Sequence, residues 1–270
     1  MNYELLTVSD IALAASLVVA NGILSIVLKL GLERQLLIAS VRMVVQLSLV
    51  GFILQTLFAL QSPFWTGFVV LVMLLFAGRE IAARQDRSFS GLWSYGLGTV
   101  TMMVATVIVT LLTLTTQVQP DPWYDARYAL PLLGMIMGNT MTGVSLGLDT
   151  LTSRAGRERA SIEAQLALGQ PREVALRSLV RDALRAGFMP MINAMAATGL
   201  VSLPGMMTGQ ILAGVDPVEA VKYQLLIMFL IGGATGFGVL MAVLGGAWRL
   251  TDERHRLRLD RLQASRSRNG

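Results

Sequence analysis

Val69-Val70-Leu71-Val72-Met73-Leu74-Leu75-Phe76 is eight apolar residues in a row, with no polar residue at the alternate positions where a half-wet strand would carry one. Backbone in hydrocarbon must satisfy its own hydrogen bonds, so only helices and closed barrels cross a bilayer. A barrel strand alternates apolar and polar residues. This run does not, so it belongs to a helix. Working outward from it, about seven stretches approach the roughly 17–25 apolar residues that a spanning helix needs. They lie near 8–28, 36–60, 64–76, 92–116, 129–151, 188–213 and 221–248, the third being the shortest. The expected fold is an all-α polytopic membrane protein, with residues 1–270 forming a single transmembrane permease domain.

The charges fall between these stretches with a clear bias. Nineteen of the 22 basic residues sit in the gaps after spans one, three, five and seven, against Arg127 and Lys222 in the alternate gaps and Arg42 inside span two. The alternate gaps carry Asp121, Asp125, Asp216 and Glu219, with Glu4 and Asp10 near the start of the chain. Short loops rich in Lys and Arg stay in the cytoplasm. The N-terminus is therefore expected outside and the C-terminus inside.

A composition that is 54% hydrophobic and 14% charged leaves nothing over for a folded soluble domain. The net charge of +5 marks topology: these arginines stand at membrane borders, where they meet anionic lipid or a cytoplasmic partner and not nucleic acid. The absence of cysteine removes disulfides, zinc–thiolate sites and catalytic thiols. No basic segment precedes the first span and no small-residue cleavage site follows it, so that span is expected to be retained.

The longest polar interval, about 152–185, reads as two short helices in the cytoplasm, followed at the other end of the chain by a basic cytoplasmic tail at 249–270. Gly169 suits a left-handed helix end and Pro171 suits a first helical turn. Arg177, Arg181 and Arg185 recur every four residues on the second helix, where Glu173 is placed to pair with Arg177. An interfacial helix lying on the inner leaflet is one reading of this segment.

A second reading comes from Glu163-Ala164-Gln165-Leu166-Ala167-Leu168-Gly169, which resembles the EAAxxxG loop of ABC transporter permeases. The resemblance implies that Glu163, Ala164 and Gly169 belong to a coupling helix that docks in a groove of an ATP-binding subunit. Arg181 departs from that pattern downstream. From Gly134 onward the likeness lengthens. Gly134-Met135-Ile136-Met137-Gly138-Asn139, Val201-Ser202-Leu203-Pro204-Gly205-Met206-Met207-Thr208-Gly209, Ala213-Gly214-Val215-Asp216-Pro217 and Lys222-Tyr223-Gln224 look like the signature blocks of the FetB-like family of ABC permeases assigned to iron export. Arg42, Gln46 and Gly51 also fit. Relatives include plant membrane subunits linked to aluminium tolerance. The resemblance implies a permease of a bacterial inner membrane, without a cofactor, powered by a separate ATP-binding subunit. The chain's own letters agree on the last point. Its two lysines, Lys29 and Lys222, do not follow a glycine-rich phosphate loop, so ATP hydrolysis belongs to another polypeptide. About seven helices per chain are few for a whole pathway, which points to a homodimer.

Residues for the path are read from polar faces. Gly134, Gly138, Asn139, Thr142, Ser145 and Asp149 fall within an arc of about 140° on span five. Such a face either packs closely on a neighbour or lines a wet cavity. Span six repeats the pattern with Thr198, Ser202, Gly205 and Gly209, and Pro204 is expected to kink it near Leu203. Arg42 and Gln46 on span two either snorkel to the surface or bind an anionic group. Met206 and Met207 adjoin the kink, where thioethers serve as core filler or as soft-metal ligands. The expected path is Asn139, Thr142, Ser202, Pro204, Met206, Met207, Arg42 and Gln46.

Two other function classes compete. An ion-coupled secondary transporter needs an acidic residue deep in the membrane, and the nearest carboxylates, Glu80 and Asp149, lie at span edges. An intramembrane enzyme finds no HExxH, and the single histidine, His255, lies in the tail.

Overall fold

Asp125 accepts the backbone N–H of Arg127 at 2.9 Å, and Asp216 accepts those of Val218 and Glu219 at 2.9 and 3.3 Å. Each carboxylate satisfies donors that an emerging helix leaves unpaired. The two longest helices of the computed structural model start there: α5 (Ala126–Arg157) and α10 (Pro217–Arg249). The structure describes residues 7–60, 62–252 and 254–263. The other helices are α1 (Val8–Val27), α2 (Glu33–Leu60), α3 (Pro63–Arg84), α4 (Trp93–Thr113, extended by a π turn at Leu114–Val118), α6 (Arg159–Ala167), α7 (Arg172–Ala175), α8 (Arg177–Ala197) and α9 (Gly205–Leu212). Glu253 and the last seven residues of the expected basic tail lie outside the described residues.

The chain divides into two compact units. The first is the α1–α2 hairpin. Its turn is set by Lys29 and Gly31 in left-handed conformations and is locked by Ser25, whose buried hydroxyl donates to Glu33 Oε2 at 2.9 Å and accepts the Leu32 N–H at 3.0 Å. The second unit runs from Ser62 and holds the remaining helices. Neighbours along α5 and α10 advance together, Gly143 beside Val239 and Gly147 beside Val243, so these two helices are parallel. Gly143 beside Gly187 and Gly147 beside Ala183 make α8 antiparallel to both. Gly78 lies against Thr99 and Ile81 against Gly98, while Gly238 lies against Ala105 and Gly245 against Leu97, so α4 is antiparallel to both α3 and α10. Arg84, Arg154, Arg157 and Arg249, at the ends of α3, α5 and α10, therefore gather at one end of the bundle with the start of α8. There they also complement the negative ends of three helix dipoles.

At that end the chain closes on itself. Asp149 Oδ1 accepts the Asp86 N–H at 2.7 Å and the Thr152 hydroxyl donates to the Arg87 carbonyl at 2.6 Å, pinning the α3–α4 loop to α5. Residues 254–263 fold back onto the same loop: the Ser90 N–H donates to Arg261 O at 2.7 Å and the Gln263 N–H to Ser88 O at 2.8 Å. The Arg258 guanidinium beside Asp260 holds that carboxyl down at about 2. The depressed value means that the ion pair contributes above the ordinary carboxylate range and is lost only as pH falls through about 2.

Among the described residues, six helices are long and apolar enough to cross a membrane: α1, α2, α3, α4 with its π turn, α5 and α10. The segment expected as span six is not one helix. α8 ends at Ala197, Gly199 takes a left-handed conformation, and Pro204 precedes α9. Proline cannot donate to a preceding turn, so it begins a new helix here in place of kinking an old one. Pro131 and Pro190 are the prolines carried inside helices. The expected polar interval is also shorter than its composition implies, since α5 continues to Arg157 and α8 starts at Arg177.

The crossing of α5, α8 and α10 admits no side chain. A Cβ on Gly187 would stand 2.5 Å from Val239 Cγ1 and 2.9 Å from the Gly143 carbonyl oxygen. Gly187→Val is expected to destabilise the protein by about 1–3 kcal/mol or more. Thermal unfolding in detergent should show this, while Gly138→Ala, with nothing within 4 Å of the new carbon, should not lower the midpoint.

Candidate functional site

At the end of the bundle away from the arginines, the break between α8 and α9 leaves a space that the neighbouring helices do not fill. The cavity is about 200 Å³ and is lined from four helices: Met135 and Asn139 of α5, Met191 and Ala194 of α8, Gly205 and Met206 of α9 beside Pro204, and Gln224, Ile227, Met228 and Ile231 of α10. Asn139 lies 18 residues from Arg157 along α5, about 27 Å at 1.5 Å per residue. Met135 and Met206 rest on a small apolar cluster containing Ile136, Ile227 and Ile231, which fixes that wall.

The polar groups at the cavity are two amides. Asn139 donates from Nδ2 to the Met135 carbonyl at 2.9 Å, and that bond leaves its Oδ1 uncommitted. Gln224 is buried, and its Oε1 makes no hydrogen bond. A buried acceptor without a donor costs about 1–3 kcal/mol, a cost that a bound water or ligand would relieve.

The structure brings Asn139, Pro204 and Met206 together at this cavity, and the other expected path residues of the second unit, Thr142, Ser202 and Met207, do not line it. Thr142 lies one turn from Asn139 on α5 and spends its hydroxyl on the Gly138 carbonyl at 3.0 Å. Ser202 stands exposed in the α8–α9 break, where its backbone N–H donates to Ala197 O at 3.1 Å. Met207 is on α9 but does not line the cavity. Arg42 and Gln46 are one turn apart on α2, in the first unit. Met191, Met228 and Gln224 were not among the expected path residues. Gln224 had a signal, an amide set in the apolar run of α10; the two methionines had none, because their convergence is set by three helices distant in sequence.

A family model described as "Uncharacterised protein family (UPF0014)" matches residues 8–250. The chain belongs to the UPF0014 family. It is 31% identical over 263 residues to the "Probable iron export permease protein FetB" of Escherichia coli K12, covering 97% of this chain and 99% of that one. It is 41% identical over 208 residues to a UPF0014 membrane protein of Synechocystis, covering 75% and 77% of the two chains. It is 33% identical over 226 residues to the Arabidopsis thaliana protein ALUMINUM SENSITIVE 3, covering 82% and 80%. No solved structure matches.

The second feature of this UPF0014 chain is at the arginine end. α6 is a discrete helix hung on the core by buried Ile162 and half-buried Leu166, an i,i+4 pair on one face. Its opposite face exposes Glu163, Ala164 and Ala167, and Leu168 is 82% exposed. Gly169 ends it with φ +84°, as the sequence predicts, whereas Pro171 caps α7 in an extended conformation and does not occupy its first turn. Glu163 pairs with Arg159 at 2.8 Å, whereas Glu173 takes Arg172 and not the expected Arg177. The second short helix is not a free interfacial helix either, because Leu176 and Leu179 are buried in the main core and α8 runs on from it into the bundle. Arg154 of α5 joins both Glu158, which starts α6, and Asp182 of α8.

Asn139 holds an acceptor at the cavity that leucine lacks. Asn139→Leu is expected to lower transport at least about tenfold with the protein still folded and membrane-inserted, since leucine is at home in lipid but offers no lone pair. Transport assayed in cells producing matched amounts of each protein checks this.

Proposed function

We propose that this chain is the membrane subunit of an ABC transporter that exports a metal, iron being the candidate substrate, from the cytoplasm of a bacterium. It works in the inner membrane as a homodimer, and a separate ATP-binding subunit docks on α6. The observation that carries this reading is the built surface of α6. Two apolar anchors hold the helix in place, while Glu163, Ala164 and Leu168 face outward at the end of the bundle where the arginines gather. Iron and the export direction rest on the name of the Escherichia coli relative. The arginine end is the cytoplasmic side on this reading, by the rule that relates basic loops to orientation.

The alternative, an ion-coupled secondary transporter, loses its best residue. Asp149 sits at the arginine end and is occupied in holding the Asp86 N–H. It holds the fold and is not placed midway along the bundle as a relay.

The link from α6 to the bundle is Arg154. Movement of α6 on a partner would be passed to α8 through Asp182 and to α5 through the arginine itself. In a complex purified with its ATP-binding subunit, Glu163→Lys is expected to lower substrate-stimulated ATP hydrolysis about tenfold while the permease still inserts and folds. Full assembly and full stimulation in that variant would reduce α6 to a surface helix.

Orientation has its own test, helped by a chain without cysteine. Cysteines replacing the exposed residues Gln119 or Val218 are expected to react with an impermeant thiol reagent on whole cells, and cysteines replacing Ser161 or Gln170 only after lysis. The reverse pattern overturns the placement of α6 in the cytoplasm.

A further inference from the structure

Methionine is 15 of the 270 residues of this chain but four of the eleven that line the cavity, Met135, Met191, Met206 and Met228, one from each of four helices. Ordinary gap-filling does not call for one thioether from every wall. Beside them Asn139 has committed one of its two N–H groups to the Met135 carbonyl, and Gln224 Oε1, on a residue 7% exposed, makes no hydrogen bond. The wall thus offers sulfur and oxygen lone pairs alongside the remaining amide N–H groups.

The charge balance narrows the ligand. No carboxylate and no histidine lines the cavity. Among the described residues there is no group of three His, Cys, Asp or Glu that would hold a metal ion. A bare divalent ion taken into a wall of neutral donors would carry a charge that nothing offsets, at a cost of several kcal/mol. Hard ions such as Mg²⁺ and Ca²⁺ also require charged oxygen ligands or retained water. A soft monovalent ion meets neither obstacle, because thioethers select Cu(I)-type metals and its single charge is the smallest to bury.

We propose that this cavity is a binding site for a soft monovalent metal ion of the Cu(I) and Ag(I) class, held by the thioethers of Met135, Met191, Met206 and Met228 with Gln224 Oε1 as the oxygen donor. The inference rests on the reading of the chain as a metal exporter and names soft monovalent ions, in place of iron, as its substrate class.

The test is titration of the purified full-length permease in detergent, without any ATP-binding subunit, using Ag(I) in chloride-free buffer and isothermal calorimetry. One tight equivalent per chain is expected. Met206→Leu together with Met228→Leu, which roughly preserves volume while deleting two sulfurs, should weaken it about tenfold or more. Gln224→Leu should weaken it less. Met103→Leu with Met189→Leu, at exposed positions off the cavity, should leave it unchanged. No tight equivalent in the wild type, or a full one in a Met206/Met228 variant with unaltered circular dichroism and thermal midpoint, overturns the proposal and returns the methionines to packing. Should the double variant fail to fold, Gln224→Leu decides alone: unchanged affinity overturns the proposal, and a loss sustains it. Because no ATPase is present, a failure here leaves the ABC reading standing, and uncoupling through Glu163 is judged separately.

Discussion

The second unit depends on one close contact, the crossing of α5, α8 and α10 around Gly143 and Gly187. Lipid tails are as apolar as leucine, so helices in a bilayer gain little from burying hydrophobic surface and associate by close packing. Gly143 and Gly187 each bring the other's carbonyl oxygen to within 3 Å of where a Cβ would be, and Val239 closes over both. Gly147 repeats the contact one turn on, against Val243 and the Ala183 carbonyl. This seam fixes the distance and direction of three helices, and both functional features are hung from them.

Polar contacts at the arginine end add what apolar packing cannot supply, a fixed geometry for loops. Asp149 and Thr152 spend their side chains on backbone groups of the α3–α4 loop, and the folded-back tail pairs with the other side of that loop. Buried Gln85 and Ser94 complete it: the Ser94 hydroxyl accepts the Phe89 N–H at 2.7 Å and donates to Gln85 Oε1 at 3.2 Å. Arg249 lies over the Trp93 ring, 4.4 Å from its centre, tying the end of α10 to the start of α4. Against this rigid platform α6 is attached through Ile162, Leu166 and the Arg154 cluster, so a partner that moved α6 would act on α5 and α8 together.

The opposite end is built the other way. The α8–α9 break replaces a continuous seventh helix with two helices and a turn, and Gly205 and Gly209 meet no neighbour. The result is a small cavity walled by flexible thioethers, at the far end of the same helices that carry the platform. α5 and α8 connect the two ends directly, since each contributes to the cavity, to the glycine seam and to the Arg154 cluster.

Local chemistry was legible in the letters. The apolar runs place the long helices, Gly169 marks the end of α6, and the uneven arginines foretell an end where they gather, because each depends on propensity or solvation within a few residues. Pairwise contacts were not. Gly138 and Gly143 look alike on the page, yet one meets nothing and the other is sealed between two helices. Glu173 was matched to Arg177 by spacing and took Arg172 instead, because its short helix turns into α8 at Leu176. The division of span six, the burial of Gln224 and the meeting of four methionines are decided by neighbours tens of residues away. Sequence alone determined which segments are helices and where the charge lies; only the tertiary structure decided which small residues pack, which stay open and which side chains share a cavity, because in lipid those outcomes turn on fit between distant helices.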